Sequence, residues 1–369
     1  MHHHSTSIAI IGAGLAGLWL AYKLKSSYPS LEIIIIGPPD ERCQHVSGWQ
    51  LKSLTAADPF IEKATIATFD EWRIRISGGE EVFHKADCFI YKTIDANRLK
   101  QNLRQYLSTQ EGVFFKEVKA LDYRCEDAVW YVRTEYGDIS ADRVYSSVSH
   151  QELSSVRQQF IGIKIREALS NEMFLMDFDI PQNSSAPRFV YALPTDTGYL
   201  MELTTFSDQD DPMSDALQVL QQWSLARLGR SFDEDDILEV EQGVIPMDSD
   251  YVVQDDVSYI GVAGGAARPA TGYAFRQILL QTEFLVSAFN VDEAKSYRHF
   301  TRLTTWMDRV FIRVLQNQPY IAEEVFYGIA SSLSGDQFSA FLMDESSLKE
   351  KLKVILSSPK LPFLKAAFI

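Results

Sequence analysis

Short apolar runs separated by helical patterns characterise the beginning of the chain. Ser7 to Ile11 form an apolar run, Leu18 to Lys25 have helical spacing, and Glu32 to Ile36 form a second, β-branched run. Further signals of this alternation occur near Asp95 to Leu107 and Ser258 to Phe289. Such alternation is typical of βαβ units in a parallel sheet. The pattern predicts an α/β fold of the Rossmann type, with its sheet assembled from separate parts of the chain.

The intervening segments are rich in strand-forming residues, for example Arg188 to Leu193 and Tyr199 to Phe206. They predict an antiparallel β-rich layer, and the chain beyond about Val291 has a helical pattern. We therefore expect three units. They are a discontinuous binding domain (6–60, 95–158 and 247–290), a β-rich substrate domain (61–94 and 159–246) and a helical C-terminal region (291–369).

The charge of the chain limits the class of partner. Its 369 residues are 46% hydrophobic and carry a formal net charge of -15, without a block of Lys and Arg. Phosphate backbones require a clustered basic face, so nucleic acid is excluded as a partner. The composition favours an apolar or neutral small-molecule ligand. It does not indicate an oligomeric state.

Other features of the sequence predict a soluble protein in a reducing compartment. The chain has no apolar run of the ~20 residues that span a membrane, and no cleavable signal pattern. Cys43, Cys88 and Cys125 lack the spacing of metal ligands and predict reduced thiols in a cytoplasmic protein. His2 to His4 resemble the remnant of an affinity tag, so no metal site is predicted.

A glycine-rich loop follows the first predicted strand and precedes the first predicted helix. Its sequence is Gly12-Ala13-Gly14-Leu15-Ala16-Gly17. Glycines at these positions permit a tight turn, a close approach to a pyrophosphate and close packing of the helix on the strand. The helix N-terminus favours the negative charge of the phosphates. We predict dinucleotide binding here; the alternative is a loop with a structural role only.

The acid that usually holds the adenosine ribose is missing. It is expected about 20 residues after the loop, where Gly37 stands. Asp40 or Glu41 is a substitute for it, or both are solvated residues of the rigid turn at Pro38-Pro39. The sequence leaves these alternatives open.

A second glycine-rich segment lies between a predicted strand and a predicted helix, from Tyr259 to Tyr273. Two glycine turns at strand–helix junctions suit a cofactor of the length of FAD. Backbone approach at the glycines and donors at the threonine would serve the cofactor; the alternative is an ordinary loop. The candidate residues are Gly261, Gly264, Gly265, Thr271 and Gly272.

Part of this segment, Pro269 to Tyr273, resembles the Pro-x-Thr-Gly-Tyr signature of the lycopene β-cyclase family of carotenoid enzymes. Arg188 to Pro194, Glu241 to Pro246, and Phe326 to Gly328 follow the order of that family over nearly the full chain. The resemblance implies an FAD protein that closes the ends of a linear polyene or isoprenoid into rings through a carbocation, without net oxidation. Reduced FAD would stabilise the cation, with NAD(P)H as the reductant.

The family's acid falls at Glu202, within Leu200-Met-Glu202-Leu-Thr204. A carboxylic acid in an apolar pocket stays protonated, and Glu202 is therefore the candidate acid/base. The alternative is a carboxylate on the exposed face of a strand. Leu203 stands where the family has a second acid, so proton donor and cation stabiliser are not expected to be paired in the family's way.

The resemblance also implies roles at two isolated positions. Arg98 matches a family position near the flavin pyrophosphate, although a surface arginine fits equally well. Val118 lies where backbone atoms often meet the adenine, and a core valine is the alternative.

Two segments depart from the family. Tyr145 to Ser149 replace an Asp-Gly-Arg-Gly turn, and Gln44 to Trp49 replace a Trp-Ser-Phe segment. His45 is a candidate proton relay, with a hydrogen-bonded loop histidine as the commoner interpretation. Trp49 either fills the space of the displaced tryptophan or belongs to the core. These departures indicate a divergent relative, and they leave open a protein with weakened flavin binding. A flavin monooxygenase or halogenase remains the other alternative.

Close to the C-terminus, an apolar stripe has helical spacing with lysines between its members. The stripe consists of Leu348, Leu352, Ile355 and Leu356. Packing of this stripe on the core is the favoured interpretation. The alternative is contact with a membrane surface, which would place the protein peripherally on the inner membrane.

Overall fold

The computed structural model describes residues 7–39, 45–54, 58–148, 156–167, 169–182, 186–207, 213–247, 257–290 and 297–368. The strands in this part of the chain are β1 (Ser7–Ala13), β2 (Glu32–Pro39), β3 (His45–Leu51), β4 (Thr65–Phe69), β5 (Glu71–Arg75), β6 (Glu81–Lys85), β7 (Phe89–Asp95), β8 (Val113–Lys116), β9 (Ala120–Glu126), β10 (Val129–Thr134), β11 (Gly137–Ala141), β12 (Arg143–Ser146), β13 (Arg157–Ile165), β14 (Phe174–Asp177), β15 (Arg188–Thr195), β16 (Gly198–Ser207), β17 (Ile237–Pro246) and β18 (Ser258–Tyr259). The α-helices are α1 (Leu15–Ser27), α2 (Pro59–Ala64), α3 (Ala96–Ser108), α4 (Ala216–Leu228), α5 (Phe275–Ser287), α6 (Arg302–Asn317), α7 (Ala322–Ser332), α8 (Gly335–Leu342), α9 (Leu348–Ser357) and α10 (Lys360–Ala367).

A parallel sheet has the strand order β18-β12-β1-β2-β8, which confirms the predicted α/β fold with βαβ units. The Ile33–Ile36 run of β2 is apolar on both faces because helices cover one side and the β9–β11 sheet covers the other. α1 is buried around most of its circumference, against α3 and α5. Pro38 and Pro39, predicted to form a turn, instead extend β2. This sheet positions the first glycine loop.

A larger mixed sheet, called here the large sheet, has the order β17-β13-β16-β15-β14-β5-β6. Its pairs are antiparallel except β14 with β5, so the predicted antiparallel β-rich layer is present. Side chains alternate along each strand. One face packs on α4, and the other faces a core that includes the C-terminal helices. A separate small sheet has the order β3-β7-β4.

Helices α6 to α10 form the C-terminal region, as the sequence predicts. The prediction that the apolar stripe of α9 packs on the core is wrong. Its four members are between 39% and 70% exposed, whereas Lys351 and Val354 form the buried side of the helix. Lys351 is held inside by Asp344, 2.7 Å away, and by Thr304, also at 2.7 Å. A buried lysine is tolerated when its charge is paired and hydrogen-bonded. Because Lys351 lies on the inner side of α9, the apolar stripe faces outward.

Several smaller expectations concern loops and thiols. In the acidic run Asp233–Asp236, Asp233 caps a short 3-10 helix, Glu234–Asp236. The similar run beginning at Asp208 lies outside the described residues, as do Asp40, Glu41 and Cys43. Cys88 and Cys125 are free thiols. No helix in the described ranges is long and apolar enough to cross a membrane.

Candidate functional site

A cavity of about 2370 Å³ runs from the first glycine loop to the C-terminal helices. Single small-molecule pockets measure roughly 300–1,000 Å³, so this cavity has room for more than one ligand. One end is lined by backbone of the parallel sheet's loops, and the other by aromatic and aliphatic side chains that include Phe189, Phe206, Phe311, Phe326 and Phe338. The two ends differ in chemistry: the first suits a polar cofactor, the second an apolar substrate.

At the polar end, the first glycine loop brings bare backbone to the cavity. Gly12 has φ +104°, and a Cβ atom there would lie 2.0 Å from Oγ of Ser147. A Cβ on Gly17 would lie 2.1 Å from the carbonyl oxygen of Gly12. Of the predicted cofactor residues, Gly12, Ala13, Gly14, Leu15 and Ala16 line the cavity; Gly17 instead allows helix and strand to pack closely.

The N-terminus of α1 is open to a ligand. Gly14 precedes the helix, and no side chain provides a cap hydrogen bond there. The first N–H groups of a helix lack partners within the helix and, together with the helix dipole, favour an anion. Because Gly14, Leu15 and Ala16 line the cavity, these donors suit a phosphate group.

The second glycine segment contributes in two ways. Gly261 and Gly264 pack against neighbouring structure: added Cβ atoms would lie 2.6 Å from Cβ of Ala16 and 2.4 Å from the carbonyl oxygen of Tyr259. Gly265 has φ +87° and ends a short 3-10 helix. These three glycines are not among the cavity-lining residues, whereas Thr271 and Gly272 are. Val262, Ala263 and Arg268 of the same segment also line the cavity, so the segment forms one of its walls.

The adenosine end of the predicted cofactor site has unusual features. Gly37 has φ +146°, and a Cβ there would lie 3.2 Å from the amide nitrogen of Ala13. A side chain at this position would therefore press on the glycine loop. Val118 lines the cavity beside Glu117 and Lys119, and its contact with an adenine stays a prediction.

Arg98 pairs with two carboxylates at the protein surface. It is not among the cavity-lining residues. Its guanidinium lies 3.5 Å from Asp95 and 3.3 Å from Asp196, and its side chain is 40% exposed. Its backbone nitrogen donates to the Asp95 cap of α3 at 2.8 Å. The structure thus gives Arg98 a surface ion pair, and its role near a pyrophosphate stays a prediction.

At the junction of the two ends, one register row of the large sheet carries Glu241, Gly162, Glu202 and Tyr191 on adjacent strands. Side chains of one row point to the same face. A Cβ on Gly162 would lie 2.8 Å from Cγ of Glu241 and 3.1 Å from Cγ of Glu202. The glycine is a notch that lets the two carboxylates approach each other across β13.

His45 lies above this row. Its Nδ1 is 2.8 Å from Oε1 of Glu241, and its Nε2 is 3.6 Å from Oε1 of Glu202. One nitrogen of His45 and one carboxylate oxygen from each glutamate lie within 4.8 Å of one another. His45 therefore belongs to a buried cluster of one imidazole and two carboxyl groups. It begins β3 and contacts both glutamates, so it is not an ordinary loop histidine. We call the three residues the Glu202 cluster.

Burial and the neighbouring charges shift the pKa values of the three side chains in the Glu202 cluster in opposite directions. Burial lowers the pKa of His45, but attraction to Glu241 and Glu202 outweighs it and raises the pKa to about 9. Burial, followed by the charge of Glu241, raises the pKa of Glu202 well above its usual value although His45 opposes this. Burial also acts to raise the pKa of Glu241, but His45 lowers it overall. These directions favour a cluster that holds an imidazolium, one carboxylate and one protonated carboxyl group.

The structure corrects the interpretation of Leu203. Residue 203 points to the opposite face of the large sheet, where Leu203 is buried with the residues that pack on α4. Glu202 is 7% exposed and lines the cavity. The second carboxylate next to Glu202 comes from Glu241 instead. In the sequence, Glu241 stands out only as the first residue of the segment from Glu241 to Pro246, because the register of β13, β16 and β17 is not visible there.

Three tyrosine hydroxyls form a further group of polar contacts next to the Glu202 cluster. The hydroxyl oxygens of Tyr91 and Tyr191 are 3.1 Å apart, and those of Tyr91 and Tyr273 are 3.4 Å apart. All three tyrosines line the cavity. Trp49 is completely buried and contacts the rings of Tyr91 and Tyr273, so it belongs to the core behind them.

A buried ion pair anchors the second glycine segment to the C-terminal helices. Arg268 is 1% exposed and makes two contacts with Asp308 of α6, at 3.0 and 2.9 Å. It also donates to the carbonyl oxygen of Phe341. Both charged residues line the cavity. No sequence pattern indicates this pair, because its members are far apart in the chain.

The apolar end of the cavity reaches the surface at the C-terminal helices. Trp306, Ile355 and Leu364 line the cavity and are also exposed. Around them lies what we call the α9–α10 face, formed by Leu348, Leu352, Ile355, Leu356, Leu361, Leu364 and Phe368. The exposed lysines of these helices are Lys349, Lys360 and Lys365.

Comparison with known proteins gives the same assignment at the level of family and fold. A family model described as lycopene cyclase protein matches residues 7–368. A lycopene beta-cyclase of Pantoea ananas is 23% identical, over 97% of this chain and 96% of that protein. Among solved structures, the tryptophan 6-halogenase SttH of Streptomyces toxytricini has a TM-score of 0.60 at 12% identity, covering 99% of this chain and 90% of the other. A geranylgeranyl bacteriochlorophyll reductase-like protein of Thermoplasma acidophilum has a TM-score of 0.59 at 13% identity, covering 98% of each chain. At these identities the structural likeness shows the fold alone.

Proposed function

Because the chain belongs to the lycopene cyclase family, we propose that it catalyses a non-redox cyclisation of the end of a carotenoid or related isoprenoid polyene. The observation that carries this proposal is the position of Glu202, a buried carboxylic acid that faces a large apolar cavity. The burial that raises its pKa keeps it protonated. A neutral acid surrounded by apolar walls suits an alkene better than a polar substrate.

The reaction begins with transfer of the Glu202 proton to one carbon of a terminal C=C bond. The adjacent carbon becomes cationic, and the π electrons of a second C=C bond attack it and close the ring. The new cation then loses a proton from a neighbouring carbon to the Glu202 carboxylate, which restores the acid. One proton is gained and one is lost, so the product is an isomer of the substrate.

The cavity also stabilises the cation. After proton transfer, Glu202 is a fixed carboxylate near the positive charge, which is effective where water is excluded. The rings of Tyr191 and Tyr273 line the same space, and aromatic faces attract cations. The apolar lining keeps water from capturing the cation.

The residues at the polar end fit FAD. Bare backbone at Gly12, the open N-terminus of α1 and the turn at Thr271-Gly272 would hold its pyrophosphate and flavin. Bound reduced flavin, with NAD(P)H as its reductant, would supply an electron-rich ring that stabilises positive charge. Gly37 offers no carboxylate to the ribose, so the grip on the adenosine half is expected to be weaker than in proteins with an acid there.

We further propose that the α9–α10 face rests peripherally on a membrane with anionic headgroups, at the cytoplasmic side. Its exposed leucines adjoin the apolar end of the cavity, so that a lipid-soluble substrate can enter without crossing water. Lys349, Lys360 and Lys365 complement anionic lipids, whereas the chain as a whole carries a formal charge of -15.

The proposed function is tested with the purified protein, reduced FAD and an acyclic carotene in lipid vesicles, without oxygen. We expect an isomeric cyclic product from the wild-type protein. Glu202→Gln should reduce the rate by roughly 10²-fold or more, as removal of a general acid does. The control is Glu71→Gln, an exposed carboxylate of the same sheet that pairs with Lys85.

Two results would contradict the proposal. A Glu202→Gln protein with full activity would remove Glu202 from the mechanism. A product that gains oxygen, formed with oxygen uptake when air is admitted, would instead assign the chain a monooxygenase-type activity.

A further inference from the structure

We propose that Glu241 is a positioning residue that binds the charge of His45 and thereby leaves Glu202 as a neutral proton donor. This inference rests on the proposed function only for the use of that proton. The arrangement of charges itself follows from the geometry of the cluster.

His45 lies at different distances from the two carboxylates. His45 Nδ1 is 2.8 Å from Glu241 Oε1, whereas its Nε2 is 3.6 Å from Glu202 Oε1. The shorter contact has the length of a charge-assisted hydrogen bond, and the longer one does not. The imidazolium is therefore paired with Glu241, and Glu202 lies beside a pair whose charge is already balanced.

The Glu202 cluster is buried, so its net charge matters. Two carboxyl groups and one imidazole form a neutral buried cluster when the imidazole and one carboxyl group carry protons. Loss of one more proton would leave a net negative charge in an apolar cavity, which is costly. If Glu241 could not be charged, one proton would be shared between His45 and Glu202. Imidazole is the stronger base, so the expected arrangement is an imidazolium paired with ionised Glu202. The proton donor would then be lost, although Glu202 itself would be unchanged.

The neighbouring groups on the other elements do not alter this count. Lys164 of β13 acts on both His45 and Glu241, and it lies 4.0 Å from Glu239 at the edge of the sheet. Tyr191 of β15 and Tyr273 face Glu202 as neutral phenols, since burial raises the pKa of both. Gly162 is the position that allows the two glutamates to share one imidazole, because a larger residue would fill the space between them.

The test compares Glu241→Gln, His45→Asn and the double variant. Glu241→Gln should lower kcat by about tenfold or more at neutral pH and move the alkaline limit of activity to lower pH. His45→Asn should cost less, because two adjacent carboxyl groups share one proton and still provide an acid. The double variant should be more active than Glu241→Gln, since Glu202 is then alone in an apolar cavity and protonated.

A second readout does not depend on turnover. A protonated carboxylic acid has an infrared C=O band that an ionised one lacks. The wild-type protein should show this band for Glu202 at neutral pH, and Glu202→Gln should lack it. It should disappear in Glu241→Gln and return in the double variant. If the wild-type protein shows these bands but does not cyclise a polyene, the proposed function is wrong and the role of Glu241 stands.

Three results would overturn the inference. The first is absence of the Glu202 band in the wild-type protein, which can be measured even if a variant does not fold. The second is persistence of that band in Glu241→Gln. The third is one tightly bound divalent metal per chain in the purified wild-type protein that is lost in His45→Asn, which would make the cluster a metal site.

Discussion

Glu202 and Glu241 lie in one register row of the large sheet, separated only by Gly162 of the strand between them. Neighbouring strands are about 4.8 Å apart, so the two backbones are separated by two such spacings while their side chains converge above the glycine. Because the two side chains meet there, Glu202 is not an isolated buried acid but forms a cluster with Glu241 and His45. It also supplies a second carboxylate that does not come from the position beside Glu202 in the sequence.

Gly162→Ala should separate the carboxylates. The added Cβ would lie 2.8 Å from Cγ of Glu241 and 3.1 Å from Cγ of Glu202, and overpacking of this kind costs about 1–3 kcal/mol of stability. We expect cyclisation to fall by about tenfold or more, measured as kcat on folded protein. The control is Gly48→Ala, where an added Cβ meets nothing within 4 Å. Equal activities of the two variants would show that the notch does not matter.

The stability of the protein should depend on pH through His45. Its pKa of about 9 in the folded protein exceeds the ordinary value of 6.5, so its contribution is complete below pH 6.5 and is lost as pH rises through about 9. The difference corresponds to roughly 3 kcal/mol. The free energy of unfolding is measured with urea at several pH values for the wild-type protein and His45→Asn. The stability advantage of the wild-type protein should shrink by that amount as the pH rises from about 6.5 to above 9. A constant difference across this range would contradict the assigned imidazolium.

Gly12→Ala should weaken flavin binding. Alanine at φ +104° is strained, and its Cβ would lie 2.0 Å from Oγ of Ser147. The Ser147 hydroxyl can rotate away, but relief of the backbone strain shifts the loop from the phosphate position. We expect the Kd for FAD, measured by fluorescence quenching, to rise by about tenfold or more, since 1.4 kcal/mol suffices for that change. Gly137→Ala is the control: its φ of +118° gives similar strain, but its Cβ meets nothing within 4 Å. Unchanged FAD affinity in Gly12→Ala would place the cofactor elsewhere.

Leu356→Ser combined with Leu361→Ser should weaken attachment to vesicles that contain anionic lipid. Both side chains are about 70% exposed, and burial of one leucine contributes about 1.5–3 kcal/mol, so we expect at least about tenfold weaker binding in a sedimentation assay. Leu225→Ser of α4, which removes a leucine that is 58% exposed, is the control. Binding that is equal for all three proteins, or absent in the wild-type protein, would contradict the membrane face.

The parts of the fold that follow local pattern were predictable. The glycine loop between β1 and α1 has a sequence that requires positive φ and close packing, and both are present. The orientation of α9 was not predictable, because a stripe of leucines has the same spacing whether it faces a core or a membrane. There, the contacts of Lys351 with Asp344 and Thr304 decide which side is buried.

The candidate site was predictable only in part. Glu202 is recognisable as a charged residue in an apolar strand. Its partners His45 and Glu241 come from β3 and β17, and only the pairing of strands brings them together. The same holds for Arg268 and Asp308, whose buried pair depends on where α6 packs. Interactions between distant segments depend on tertiary register, which hydrophobic periodicity does not encode.

The most direct test of the account is cyclisation in D₂O, with the product analysed by mass spectrometry. If Glu202 donates a solvent-exchangeable proton to the alkene and a different proton is later lost, each ring formed should carry one deuterium. In H₂O the product should have the mass of the substrate. A cyclic product without deuterium, or one whose mass in H₂O differs from that of the substrate, would contradict proton-initiated, non-redox ring closure by this protein.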